Sequence, residues 1–166
     1  MNDHPAQLTA ESTAAREAKG ITVRRRFATG PRAWDVPLAI AVGGALGAVA
    51  RYAVSTAWPH APNGIPWATF AVNVAGCFLI GVLMVLLTEI AGQPHHLIRP
   101  FLGVGILGGF TTFSTYTVDV QHLLANGHPQ LALLYLFGTL GAALVAVQFG
   151  IFAARLLAQP RRGRRP

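Results

Sequence analysis

Residues 105–120 read GILGGFTTFSTYTVDV, a run that joins two adjacent glycines to five Ser or Thr hydroxyls and three aromatic rings. Paired glycines weaken a helix, and the backbone groups that a helix releases at membrane depth must be satisfied by protein, water or an ion. The alternative is a kink in which the hydroxyls bond back to their own helix. Because the flanking residues are apolar, we expect a membrane-spanning helix that is broken at its midpoint.

This run lies within one of four apolar stretches, each long enough to cross a hydrocarbon core of about 30 Å. With 52% hydrophobic and only 11% charged residues, the chain has too few polar side chains to cover a water-soluble domain. The prediction is an all-α integral membrane protein with four transmembrane helices in one domain, residues 36–158. The four stretches are 36–57, 67–88, 98–124 and 130–158.

The basic residues are concentrated at the two ends of the chain. Of the 13 Lys and Arg residues, eleven precede the first stretch or end the fourth, and the 58–66 and 125–130 loops contain none. Basic flanks normally face the cytoplasm and its anionic lipids. We therefore expect a multi-pass protein of the inner (plasma) membrane with a disordered cytoplasmic extension at 1–35 and a cytoplasmic tail at 159–166. The basic residues are not interleaved with aromatics, so membrane lipid, and not nucleic acid, is the expected partner.

Few polar side chains lie inside the apolar stretches, and these are the candidate site residues. Asn73 offers two amide donors, although an interhelical bond that only stabilises the bundle is an equal alternative. Phe113 and Tyr116 fall on one helix face, where ring edges carry the positive end of the quadrupole. Tyr135 and Thr139, four residues apart, form a second stripe, for which ordinary packing is the alternative. Such donors suit an anion because they carry no full charge that would trap it.

The charged and reactive residues indicate no enzyme. Arg51 lies toward the far end of the first stretch, where it either snorkels to the interface or attracts anions at a pore mouth. Cys77 is the single cysteine and is interpreted as a packing residue. The chain contains no phosphate-binding loop, no nucleophile elbow and no metal-ligand spacing. A binding or transport function is therefore favoured over catalysis.

The chain contains three motifs in order, namely GGALGAVARY at 43–52, TFAVNVAGCFLIG at 69–81 and the 105–120 run. They resemble those of the small bacterial Fluc (CrcB) fluoride channels, and the resemblance covers all four stretches. It implies a dual-topology fold in which two four-helix subunits pack antiparallel and form two pores along their interface. The implied function is fluoride-selective, passive export of cytoplasmic fluoride, which lowers its toxicity.

The resemblance also assigns roles to single residues. The backbone carbonyls of Gly108 and Thr111 would surround a structural sodium ion shared with the second subunit. Asn73 would be the pore amide, and Phe113 with Tyr116 the aromatic pair that meets fluoride. The remaining residues would supply further donors or, for the arginine, lie near the vestibule: Ser114, Thr115, Tyr135, Thr139 and Arg51.

Two features depart from the family pattern. Tyr116 stands where the family usually has phenylalanine. The strong charge bias conflicts with a sequence that inserts in both orientations, so a heterodimer with an oppositely oriented paralogue stands beside a homodimer as an equal alternative. A proton-coupled small-ion exporter is a competing function, but it needs a titratable acid at the midplane. A structural subunit with no transport role is a second competing function, but it leaves the hydroxyl groups of residues 105–120 unexplained.

Overall fold

The regular structure of the chain is helical throughout the described residues, which are 33–61, 64–92 and 94–158 of a computed structural model. Helix α1 comprises Asp35–Ala57, and α2 comprises Trp67–Val85 and continues as a π-helical turn, Leu86–Ile90. Helix α3 is the π-helical segment Arg99–Leu107 followed by one α-helical turn, Gly108–Phe110. Helices α4 and α5 are Phe113–Ala125 and Pro129–Ala158. The flanks assigned to 1–35 and 159–166 lie outside the described residues, except for 33–35.

Four segments are long and apolar enough to cross a membrane. Their bounds agree with the predicted stretches to within two residues, and they are Asp35–Ala57, Trp67–Ile90, Arg99–Ala125 and Pro129–Ala158. Proline and glycine set several of these ends. Pro129 opens α5 at a position where its missing N–H costs nothing, and Gly92 and Gly127 close the preceding segments with positive φ angles of 58° and 77°.

The backbone of Thr111 and Thr112 is extended between α3 and α4. Thr111 has φ −76° and ψ 158°, and Thr112 has φ −147° and ψ 123°. Helix α4 then begins with a side-chain cap, because the Thr112 hydroxyl accepts the Thr115 N–H at 3.1 Å. Back-bonding of hydroxyls also occurs here, since Thr111 Oγ1 donates to the Leu107 carbonyl at 2.9 Å. We call Thr111 and Thr112 the extended pair.

The helices pack in two pairs, α1 against α3 and α2 against α5. Close backbone approach explains some of the glycines: a Cβ on Gly47 would collide with the Ile106 carbonyl, and one on Gly150 with the Phe78 carbonyl. In contrast, three glycines of α1 and α5 have no close neighbour within the described residues of this chain. A Cβ would meet nothing within 4 Å at Gly44, Gly138 or Gly141.

A small buried cluster joins α4 to α5. It consists of Tyr116, Leu123, Ala132 and Tyr135. Elsewhere the helices turn large apolar side chains outward, for example Val49, Val145 and Leu157. This inverted arrangement is what a lipid environment requires, because hydrocarbon and not water surrounds the helices.

Candidate functional site

Asn73 binds the extended pair through both ends of its amide. Its Nδ2 donates to the Thr112 carbonyl at 3.0 Å, and its Oδ1 accepts the Thr112 N–H at 2.8 Å. In a continuous α-helix that N–H would donate to the Gly108 carbonyl four residues back. The side chain of α2 therefore replaces a helical bond of the third segment, and one N–H of the Asn73 amide stays available beyond this pair.

Arg51 reaches the end of α3 from α1. Its Nε donates to the Gly109 carbonyl at 3.2 Å, a group whose helical donor would be the N–H of Phe113. A guanidinium at the carboxyl end of a helix also complements the negative end of the helix dipole. Arg51 is half-buried, and its hydrogen bond is directed to the end of α3.

Hydroxyl groups cluster where α4 begins. Thr112 Oγ1 donates to Thr115 Oγ1 at 3.0 Å and lies 3.4 Å from Ser114 Oγ. Thr112 is buried, Thr115 half-buried and Ser114 exposed. The cluster thus runs from the interior toward the outside of the subunit within one helical turn.

Phe113 and Tyr116 of α4 lie next to each other, but one ring is exposed and the other is buried. The centroids of Phe113 and Tyr116 lie 5.9 Å apart, yet Phe113 is 80% exposed and Tyr116 only 8%. The Tyr116 hydroxyl donates to the Leu136 carbonyl of α5 at 2.6 Å. Its ring also contacts Tyr135 at a centroid distance of 5.4 Å. The hydroxyl that distinguishes Tyr116 from phenylalanine therefore links α4 to α5.

Tyr135 contacts an acidic side chain, Asp119, that is not among the predicted site residues. Its hydroxyl donates to Asp119 Oδ2 at 3.3 Å and also interacts with Thr69. Asp119 lies near the end of the third stretch, and it is buried at 8% exposure. The available signal was its spacing, because Asp119 follows Tyr116 by three residues and so shares its helix face.

Thr139 carries a buried hydroxyl without a partner. It is 5% exposed, and among the described residues its Oγ1 is the buried side-chain atom that lacks any hydrogen bond. Burying such a group without a partner is unfavourable. An orphaned donor in this position points to a ligand or to a further protein group that satisfies it.

An open groove of about 580 Å³ brings several of these residues together between α2, α4 and α5. Asn73, Thr111, Phe113, Tyr116 and Thr139 all line it, and Cys77 lies one helical turn beyond Asn73. The other candidates do not line this groove, namely Arg51, Gly108, Ser114, Thr115 and Tyr135. Within the described parts of the chain, no group of three His, Cys, Asp or Glu residues could hold a metal ion. We call this feature the polar groove, after the amide and hydroxyl side chains within its otherwise apolar lining.

Comparison with known proteins decides the family. A profile described as CrcB-like protein, Camphor Resistance (CrcB), matches residues 38–151. This chain belongs to the CrcB family. The match contains the second and third helical segments entirely, and it contains the first and fourth except for 35–37 and 152–158. The prediction of a multi-pass membrane protein is confirmed.

Several relatives of this CrcB chain carry a functional name. It is 60% identical over 118 residues to "Fluoride-specific ion channel FluC 2" of Nocardia farcinica, which covers 71% of this chain and 84% of that protein. It is 53% identical over 117 residues to the protein of the same name from Streptomyces avermitilis, with 70% and 73% covered. A third, "Fluoride-specific ion channel FluC" of Erythrobacter litoralis, is 40% identical over 126 residues, with 73% and 93% covered.

Proposed function

We propose that this protein is a fluoride-specific ion channel through which cytoplasmic fluoride leaves the cell passively. The family and the names of its relatives support this function. Hydrogen fluoride enters cells uncharged and dissociates inside, and a membrane potential that is negative inside then drives the anion out through an open path. The channel lowers intracellular fluoride, and so its toxicity, without a catalytic step.

The observation that carries the proposal is the chemistry of the polar groove. Its lining is mainly apolar and includes the Asn73 amide and the Phe113 and Tyr116 rings, and Thr139, whose own hydroxyl is buried, lies in the same wall. An anion needs such groups in place of its hydration shell, and a full positive charge would hold it too tightly to pass. Ser114 and Thr115 extend the hydroxyls away from the groove, and Tyr135 continues the α5 stripe one turn from Thr139.

The groove is open, and a second subunit is the proposed source of its missing wall. Phe113 projects outward at 80% exposure next to the buried Tyr116, so a partner packed antiparallel would enclose the ring and line a path on each side. The third segment, interrupted at the extended pair, would lie at the centre of this dimer. The partner is an identical chain or an oppositely oriented paralogue.

The charge bias and the relatives both bear on that choice. Eleven basic residues at the chain ends favour one orientation, with both termini in the cytoplasm and the protein in the plasma membrane. Streptomyces avermitilis has relatives named FluC 2 and FluC 3, so one organism contains more than one such chain. A heterodimer would reconcile a fixed orientation with an antiparallel assembly.

A structural sodium ion is proposed at the carbonyls of Gly108 and Thr111. The donor set fits, because the helical donor of the Gly108 carbonyl is engaged by Asn73 and Thr111 is extended. Neutral carbonyl oxygens are suitable ligands for such a cation. The ion would supply positive charge that holds these carbonyls together at membrane depth, while Asn73 and Arg51 hold the neighbouring backbone of Thr112 and Gly109.

Fluoride efflux from liposomes that contain only this protein tests the proposal. The vesicles are loaded with potassium fluoride, the voltage is collapsed with a potassium ionophore, and fluoride is read with an electrode while chloride is followed in parallel. We expect fast efflux of fluoride and not of chloride, without need of a proton gradient. Asn73→Ala should slow it, whereas Thr88→Val should not, because the Thr88 hydroxyl bonds only within its own helix, to Met84.

Other outcomes separate the alternatives. Silence from this chain alone, with activity restored by a co-expressed paralogue, would establish the heterodimer and exclude the homodimer. Efflux that requires a proton gradient would favour an exchanger, for which Asp119, the buried acid among the described residues, is the first to test. In that case Asp119→Asn should abolish the dependence on the gradient.

A further inference from the structure

A small cavity of about 150 Å³ lies at the end of the helices next to the 58–66 loop. Its walls come from this loop, from Pro66 before α2 and from the last turns of α4. Of the described residues that line it, four have polar or ionisable side chains: His60, Asp119, His122 and Asn126. We call this cavity the histidine pocket.

The histidine pocket lies beyond one end of the polar groove. On α4, Tyr116 lines the groove, and Asp119 and His122 of the pocket follow it at three-residue intervals, which makes successive members neighbours on the helix surface. On α5, Tyr135 lies one turn closer to the start of the helix than Thr139, and its hydroxyl donates to Asp119 Oδ2 at 3.3 Å. The pocket therefore lies between the polar groove and the membrane surface at the 58–66 loop.

The buried carboxylate of Asp119 makes this end of the path unfavourable for an anion. Asp119 is 8% exposed, and the Tyr135 hydroxyl that donates to it is neutral. Helices α2 and α5 pack against α4, but the charged side chains of their membrane segments, Glu89 and Arg155, lie at the opposite end and pair with each other at 2.7 Å. A carboxylate charge that no nearby cation offsets repels fluoride.

The two imidazoles are the groups that can reverse the sign of the charge in this pocket. His60 and His122 are exposed, whereas Asp119 is buried. Imidazoles gain a proton between about pH 8 and pH 5. Phenols such as Tyr116 and Tyr135, the other titratable groups near the carboxylate, stay neutral below about pH 10. With both imidazoles neutral the formal charge of the pocket is −1, and with both protonated it is +1.

We propose that the histidine pocket is an anion-binding site at the mouth of the path, which binds fluoride when His60 and His122 are protonated. The site rests on the channel function proposed above, and it adds a pH dependence that a path of neutral donors does not have. Local positive charge raises the concentration of an anion at such a mouth. Conductance should therefore increase in acid, the condition in which more hydrogen fluoride forms and enters cells. Two solvated histidines without effect on the ion are the alternative.

Single-channel recording in planar bilayers tests the site. Both compartments contain the same fluoride activity at low ionic strength, and the pH is changed from about 7.5 to about 5.5, within the range in which imidazoles titrate. The current through one channel reports ions and not uncharged hydrogen fluoride, and it does not depend on how much protein has folded. We expect the conductance to rise about two- to fivefold, as for one or two unit charges about 8 Å from an anion in water.

Histidine variants identify the groups that are responsible. The conductance of a double variant with His60→Gln and His122→Gln should not change with pH, and each single variant should retain part of the rise. His128→Gln is the matched control. His128 is an exposed histidine at the same end of the helices, but it does not line the pocket, so its replacement should leave the full rise.

Three results would contradict the assignment. These are a wild-type conductance that is constant with pH, a rise that persists in the double variant, and a rise that is lost in His128→Gln, which would indicate a general effect of surface charge. The two single variants decide the matter if the double variant forms no channels. Absence of fluoride current at both pH values would instead refute the channel function itself, and the site with it.

Discussion

Asn73 and Thr112 exchange two hydrogen bonds, at 3.0 and 2.8 Å, across 39 positions of the chain. A single side chain of α2 thus satisfies both backbone polar groups of a residue that has left the helix. Buried backbone groups are nearly always paired, and here the pairing comes from outside the segment. The extended pair is consequently a defined structure and not a weak point of the third segment.

Replacing Asn73 should destabilise the protein in a graded manner. In Asn73→Asp the second carboxylate oxygen faces the Thr112 carbonyl and cannot donate to it, and in Asn73→Leu both bonds are lost. We expect a cost of about 1–3 kcal/mol for each backbone group left without a partner. The midpoint of thermal unfolding in detergent should be highest for the wild type, lower for Asn73→Asp and lowest for Asn73→Leu. Equal midpoints for the three proteins would contradict this account.

Substitution of Thr139 should separate stability from transport. Thr139→Val removes a buried hydroxyl that has no partner, so the unfolding midpoint should stay or rise. Fluoride efflux should nevertheless fall about ten- to a hundredfold, the equivalent of one lost hydrogen bond to a charged ion in the rate-limiting step. Thr139→Ser retains the hydroxyl and should retain efflux. A valine variant with wild-type efflux would exclude this hydroxyl from the path.

Tyr116→Phe should affect folding more than permeation. The change removes the 2.6 Å bond to the Leu136 carbonyl, which should lower the free energy of unfolding by about 0.5–1.5 kcal/mol. The ring remains, so the ratio of fluoride to chloride efflux should not change, whereas Tyr116→Leu should reduce fluoride efflux. Tyr52→Phe is the control, because Tyr52 is exposed. A changed ion ratio in Tyr116→Phe would show that the hydroxyl itself takes part in selection.

Two glycines of α1 should respond in opposite directions to alanine. A Cβ at Gly47 would collide with the backbone of Ile106 and Phe110, and overpacking of this kind costs about 1–3 kcal/mol. A Cβ at Gly44 would meet nothing within 4 Å, so Gly44→Ala should gain about 0.5–1 kcal/mol from helix propensity. Unfolding midpoints measured side by side check both changes. If Gly47→Ala were as stable as Gly44→Ala, the close packing of α1 on α3 would be refuted.

The membrane-spanning segments were predictable from the sequence because the lipid bilayer determines their length and their composition. A span needs a certain length of apolar sequence, and hydrocarbon tolerates few exceptions, so the ends of all four segments were located to within two residues. The polar groove was predictable in part. Asn73, Tyr116 and Thr139 stood out as polar groups in apolar surroundings, and they do line one groove.

The pairings within the site were not predictable from the sequence. Asn73 bonds to Thr112, and Arg51 bonds to Gly109, because of how α1, α2 and α3 are placed in space. The periodicity of a sequence indicates which residues share a helix face, but not which group on another helix a side chain contacts. Asp119 was not selected because it lies near the end of its segment, and nothing in the sequence indicates that its carboxylate is buried and hydrogen-bonded to Tyr135. The π-helical winding of Arg99–Leu107 also lacks a local signal, since its glycines and Pro100 suit several loose conformations.

That winding constrains how the gene can change. A π-helical turn holds more residues than an α-helical one, and loss of a single codon between Arg99 and Leu107 that left this winding unchanged would rotate everything after it. Each residue of an α-helix turns the chain by about 100°, and Gly109 would then point its carbonyl away from Arg51. A substitution in this segment affects only its surroundings, whereas a change in the number of its residues alters the orientation of every residue that follows it. Insertions and deletions should therefore be purged here more strictly than in the loops.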